Sequence, residues 1–210
     1  MSGAVSQVDD KSVSGWDITQ ATAGDQFATN ATTVNSLNVL DLDGSDEMDM
    51  PAAMRAIGNA ANTVIMAYKN ASTGTNAMPW FIGNGGTSFG DWRQVIQFEG
   101  AFNNVRFNQA ASVQVSGMSI GANNTTAIHV TGMKFNGTNS IYKFFDGSLV
   151  TDTDSSGVAV TGSCDTGMIG NTLNGNLLEI AVYSRELTDL ELNTFGAGMV
   201  AKWGAPWTDI

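Results

Sequence analysis

Hydrolysis of a glycosidic bond needs two carboxylates, about 5–5.5 Å apart for a retaining mechanism, and alternation along a strand is the simplest way to aim both at one face. Asp41, Asp43 and Glu47 come nearest to such a set, but Gly44 turns the chain between the second and the third. His129 is the single histidine and sits in the alternating stretch Ile128-His129-Val130, while Cys164, the single cysteine, lies in Gly162-Ser-Cys-Asp-Thr-Gly167. No local signature joins them as base and nucleophile, so no catalytic residue is assigned. Hard cations want clustered oxygen ligands. Asp152-Thr-Asp154-Ser-Ser156-Gly157 starts like a calcium loop, yet Ser163 stands at the closing acidic position, and Asp41–Asp46 fails in the same way with Ala52. Asp152 and Asp154 are the metal candidates if separate loops complete the shell. Otherwise no cofactor is expected, calcium being the one the pattern admits.

Sugar recognition needs aromatic faces beside carboxylate and amide groups. Trp80 and Trp92 flank the Gly- and Ser-rich stretch from Gly83 to Asp91, and Tyr142 lies on an expected hairpin. Trp80, Trp92, Asp91 and Tyr142 are therefore the candidate ligand-binding residues, whereas Trp16, Trp203 and Trp207 read as packing near the chain ends.

Short strands must position these groups. Val64-Ile-Met-Ala-Tyr68 is continuously apolar, as suits a strand buried on both faces. Arg93–Phe98, Asn104–Phe107, Ser112–Ser116 and Ala127–Thr131 alternate with a two-residue period. Asp43-Gly44, Asn84-Gly85, Asn136-Gly137, Asp146-Gly147 and Asn174-Gly175 punctuate them, and such pairs favour type I′ turns because both central residues must accept positive φ. Turns recurring between many short strands imply an all-β antiparallel sandwich or barrel. One helix is expected late in the chain, where Thr188-Asp-Leu-Glu191 forms a capping box and Leu192, Phe195 and Met199 continue one apolar face. Gly196 and Gly198 within it suggest close approach of another backbone or an early end to the helix. Residues 1–15 are polar and aperiodic and read as an N-terminal arm ahead of a domain spanning 16–210, with Trp16–Asn35 an irregular lead-in.

The 210 residues carry 9 Lys and Arg against 20 Asp and Glu, a formal charge of −11, and no basic run. Nucleic acid and anionic membranes are excluded as partners on that balance, and no apolar run approaches the ~20 residues of a membrane span. With a single cysteine no intrachain disulfide forms. Met1–Asp10 has neither the basic start nor the apolar stretch of a secretory signal, so synthesis in a cytoplasm is expected.

Three stretches resemble the concanavalin A-like lectin/glucanase superfamily in its laminin G-like branch. They are Leu40-Asp-Leu-Asp43-Gly44-Ser-Asp46-Glu-Met48-Asp-Met-Pro51, Ile141-Tyr-Lys-Phe-Phe-Asp146-Gly147-Ser-Leu-Val150, and the long run from Ile169-Gly170 and Asn174-Gly175 through Glu179-Ile-Ala-Val-Tyr183 to Leu187-Thr188-Asp-Leu-Glu191, ending at Lys202-Trp203-Gly204. The resemblance implies a two-sheet antiparallel jelly roll with one short C-terminal helix. Relatives with this ending occur in bacterial surface proteins and bacteriophage virions. It therefore implies a non-catalytic structural or interaction protein, first of all a virion component (capsid decoration, fibre or tail-associated) on the particle surface, assembled in a bacterial host. Its partners would be other virion proteins, copies of itself, or host and environmental glycans. A carbohydrate-binding adhesion module is the alternative, and a glycoside hydrolase the weaker third.

Overall fold

The computed structural model describes residues 3–71, 77–84, 92–99, 104–109, 114–118, 127–138, 140–153 and 164–210. Two antiparallel sheets face one another. Sheet A contains β1 (Gly3–Val5), β4 (Phe27–Val34), β5 (Leu37–Asp43), β16 (Asn174–Tyr183), β7 (Asn62–Asn70), β12 (His129–Phe135), β13 (Ser140–Phe145) and β14 (Ser148–Thr153), side by side in that order. Sheet B runs β11 (Gln114–Met118), β10 (Asn104–Gln109), β9 (Trp92–Glu99), β8 (Ala77–Gly83), β15 (Thr166–Ile169), β6 (Met48–Asp49), β3 (Ile18–Thr19) and β2 (Gln7–Val8). The sandwich expected from the sequence is the observed architecture.

Strand β7 shows why its sequence has no polar alternation. Val64, Met66 and Tyr68 point between the sheets with Trp80, Ile96 and Phe98, while Ile65 and Ala67 point to the opposite face. There they meet Leu192, Met199 and Trp203 of α2 (Asp189–Trp203), the helix that follows the single-turn α1 (Ala52–Arg55) in chain order. A stretch covered by a sheet on one side and a helix on the other reads as a continuous apolar run, here Val64–Tyr68, with no alternation.

Helix α2 is built as its sequence predicts. The Thr188 hydroxyl accepts from the Glu191 amide, the Thr188 amide donates to Glu191 Oε2 at 2.9 Å, and Arg185 holds the same carboxylate through both oxygens. These donors, Arg185 foremost, keep the Glu191 carboxyl at about 2. Gly204, with φ 69°, closes the helix in the left-handed conformation. The close approach at Gly196 comes from a side chain and not a backbone, since a Cβ there would lie 2.1 Å from the Trp207 ring.

The turns divide. Asp146 and Gly147 have φ 48° and 86° and join β13 to β14 as a type I′ turn. Asn174-Gly175 instead opens β16 and pairs with Asp43 and Leu42, the actual turn lying at Gly170–Leu173. Asn35 and Ser36, at φ 47° and 63°, make a hairpin of β4 and β5 where an irregular lead-in was expected. Residues 3–5 and 7–8, within the segment expected as an N-terminal arm, are strand-paired, one stretch in each sheet. Gly3–Val5 pairs with β4 in sheet A and Gln7–Val8 with β3 in sheet B, so the first strands stitch the two layers together.

Candidate functional site

Sheet A is continuous across β5 and β16 only below one level. Asn174–Leu177 face Asp43–Leu40, and beyond Leu177 strand β16 continues along β7 alone. Two irregularities drive the strands apart. The register of β16 on β7 slips between Leu177 and Glu179, leaving Leu178 as a bulge. In β4, Thr29 faces Leu40 and Thr33 faces Asn38, so Asn30, Ala31 and Thr32 oppose Val39 alone, with Asn30 at φ 65°. The Asp41 carboxylate fixes both sides of this fork, accepting from the Thr32 amide at 3.2 Å and from Asn176 Nδ2 at 2.7 Å. The β4–β5 tip then swings to the helix, where Asn35 Nδ2 donates to the Lys202 carbonyl at 3.1 Å.

The fork opens a cleft of about 470 Å³. Its floor is apolar and partly aromatic, with Trp16, Ile18, Leu40, Met54, Ile180 and Val182, and its rim carries Asp9, Asp10, Lys11, Glu179, Tyr183 and Lys202. Asp10 shapes the rim loop. Its Oδ1 accepts from the Ser12 amide at 2.8 Å, and its Oδ2 accepts from the Ser12 hydroxyl at 2.7 Å and the Trp16 amide at 2.9 Å. Its own amide donates to Asp17 Oδ1 at 2.8 Å. Across the cleft Glu179 Oε2 accepts from Lys202 Nζ at 2.6 Å and from Trp203 Nε1 at 3.0 Å. Lys202 in turn lies over the Trp203 ring, 4.8 Å from its centroid.

The Trp16 and Ser12 amides hold the Asp10 carboxyl below its ordinary value of 3.8. A depressed folded-state pKa adds stability that is complete above the unfolded value and fades as pH falls through the folded one. The loop should therefore stay closed at neutral and mildly acidic pH and loosen below about pH 4. Asp10→Asn, which cannot offer a carboxylate to three donors, should show loosened-loop tryptophan fluorescence already at pH 7. An unchanged emission spectrum in that variant would remove Asp10 as the organiser.

Of the residues singled out from the sequence, Trp80 and Tyr142 do not line this cleft. Trp80 is fully buried between the sheets and donates Nε1–H to Gln94 Oε1 at 2.9 Å, so it offers no face to a ligand. Its place on the inner side of β8 overturns that assignment. Tyr142 lies on β13, half-buried, with Lys134 Nζ 4.8 Å from its ring centroid, and is not part of the cleft. Trp92 begins β9, but its side chain, like Asp91, lies outside the described residues. Asp152 pairs with Ile141 on β14; its side chain and Asp154 also lie outside them. Among the described residues no group of three or more His, Cys, Asp or Glu side chains is arranged to hold a metal ion. Asp43 caps Ser45 and Glu47 accepts from Asn171 Nδ2 at 2.7 Å, so each carboxylate of the Asp41–Glu47 stretch has its own separate partner. His129 is buried against Asp146, Nδ1 to Oδ2 2.9 Å, while the Cys164 thiol packs at Gly58.

No protein-family model and no curated protein sequence matches the chain. Solved structures do. An arabinofuranosidase complexed with arabinofuranosyl-alpha-1,2-xylobiose superposes with TM-score 0.68 at 15% identity, over 96% of this chain and 52% of that one. The fold is a concanavalin A-like jelly roll. Domain 4 of AbnA, a GH43 extracellular arabinanase from Geobacillus stearothermophilus in complex with arabinotriose, gives TM-score 0.63 at 13% identity, covering 81% of each chain. The Trypanosoma rangeli sialidase in complex with sialic acid gives 0.58 at 14% identity over 90% of this chain, which spans about a third of that enzyme's length (32%).

Proposed function

We propose that the chain is a non-catalytic carbohydrate-binding module whose ligand lies in the forked cleft beside Trp16. The observation that carries this reading is the cleft itself, an aromatic and aliphatic floor ringed by carboxylates and a tyrosine, which is the pairing of apolar and polar surface that a sugar ring presents. The fold it shares with the arabinotriose-bound domain of AbnA supports the same reading. Asp10 has both oxygens engaged by its loop, Glu179 Oε2 accepts from Lys202 and Trp203, and Asp9 accepts from Gln7 Nε2 at 2.8 Å, so each rim carboxylate already serves the protein's own donors. A hydrolytic pair needs two, so the absence of catalysis belongs to the proposal.

Isothermal titration against arabinotriose and a glycan array, each with and without calcium, test it. Saturable binding to at least one glycan is the expected result, and silence throughout would overturn it. The virion setting draws its support from the laminin G-like resemblance and the acidic composition, and none of the structural neighbours described above is a virion protein. Mass spectrometry of purified phage particles decides that setting independently of the sugar.

A further inference from the structure

The ligand class can be narrowed from the strand edge that the fork leaves open. Along an antiparallel strand, alternate residues turn their N–H and C=O groups to one neighbour and the intervening residues turn theirs to the other. Beyond Leu177 strand β5 is no longer a neighbour of β16, and no other backbone partner of residues 178–183 on that side exists among the described residues. These residues are half-buried, and Leu178 to Tyr183 all line the cleft. The fork thus holds a short ladder of backbone donors and acceptors in alternation, set above an apolar floor.

The charges around it point the same way. Lys11 and Lys202 are the cationic side chains among the described lining residues, and each already faces a carboxylate, Asp9 at 3.9 Å and Glu179 at 2.6 Å. The Asp10 carboxyl is held ionised by its loop. An anionic sugar would therefore enter a negatively charged rim on a chain of formal charge −11, where each cation among the described lining residues already has a carboxylate beside it. A hydroxyl both donates and accepts, whereas a carboxylate or sulfate only accepts. A ladder offering both kinds of group matches the first and wastes half its bonds on the second.

We infer that the cleft selects neutral, polyhydroxylated saccharides and reads them through the free backbone edge of β16, residues 178–183, excluding sialylated, uronic and sulfated sugars. This rests on the glycan-binding reading above. The test has two stages. The protein is titrated with neutral oligosaccharides (arabinotriose, xylobiose, lactose) and with sialic acid, a galacturonic acid oligomer and a sulfated heparin fragment. Amide hydrogen exchange is then measured with the tightest binder at saturation. Neutral sugars should bind at least tenfold tighter than the acidic ones and slow exchange at alternate residues within 178–183. Equal or tighter binding of an acidic sugar, or neutral binding with protection confined to other strands, would overturn the inference and leave the module reading standing. If none of the sugars binds, the module reading fails first and takes this inference with it.

Discussion

Trp16→Leu is expected to weaken glycan binding by about thirtyfold while leaving the sandwich folded. Truncating a central aromatic anchor costs about 2 kcal/mol or more in a binding site, which is roughly thirtyfold in affinity. Leucine keeps an apolar body against the core cluster that Trp16 touches through its half-buried face, so the packing loss is smaller than for alanine. What leucine removes is the flat ring. Trp16→Phe, which retains one, should hold affinity to within a few-fold. Titration of both variants with the same sugar, alongside their thermal midpoints, separates the two effects. Binding by Trp16→Leu at the wild-type level would move the ligand out of the cleft.

The placement of Trp16 also shows where sequence reasoning reached its end. The continuous apolar run of β7, the Thr188–Glu191 capping box and the Asp146-Gly147 turn are each decided by residues within a few positions, and each is found where expected. The fork is decided by two bulges, and neither has a local signature. Asn30 takes positive φ inside a run of Thr and Ala that reads as ordinary strand, and Leu178 is an unremarkable apolar residue whose offset exists only relative to β7. Ser36 is no strong type I′ signal, so β4 was not visible as the partner of β5. Among the tryptophans the ranking inverted for a similar reason. Trp80 has glycine, serine and threonine after it, as an exposed sugar platform would, but its burial is set by Gln94, fourteen residues away on the next strand. Trp16 sits near the start of the chain, as terminal packing would, and its exposure is set by a gap between strands 5 and 16.

That buried pair is the source of the largest stability effect. Gln94 is sealed between the sheets; its Oε1 accepts from Trp80 Nε1 at 2.9 Å, and its Nε2 donates to Asn62 Oδ1 at 2.8 Å. Asn62 carries the chain onward, its Nδ2 donating to the carbonyls of Ile57 at 2.9 Å and Ala60 at 2.8 Å. The network thus crosses from β8 and β9 in sheet B to β7 in sheet A and ends on the turn that precedes β7. Gln94→Leu is close in volume but leaves an indole N–H and an amide oxygen without these partners in a dry interior. Each orphan costs about 1–3 kcal/mol, so a loss of about 4 kcal/mol is expected. At 2–4 °C per kcal/mol for a domain of this size, the thermal midpoint should fall by roughly 10 °C. Trp80→Phe alone takes the indole donor away from Gln94 Oε1, but in the double variant Trp80→Phe/Gln94→Leu both ends of that bond are removed together. Residues sharing one network are not additive, so the double variant should be more stable than the sum of the two single losses implies. Urea unfolding of the four proteins measures the coupling directly. Strict additivity, or a Gln94→Leu protein within 1 kcal/mol of wild type by that measure, would mean that the polar chain does not hold the two sheets in register.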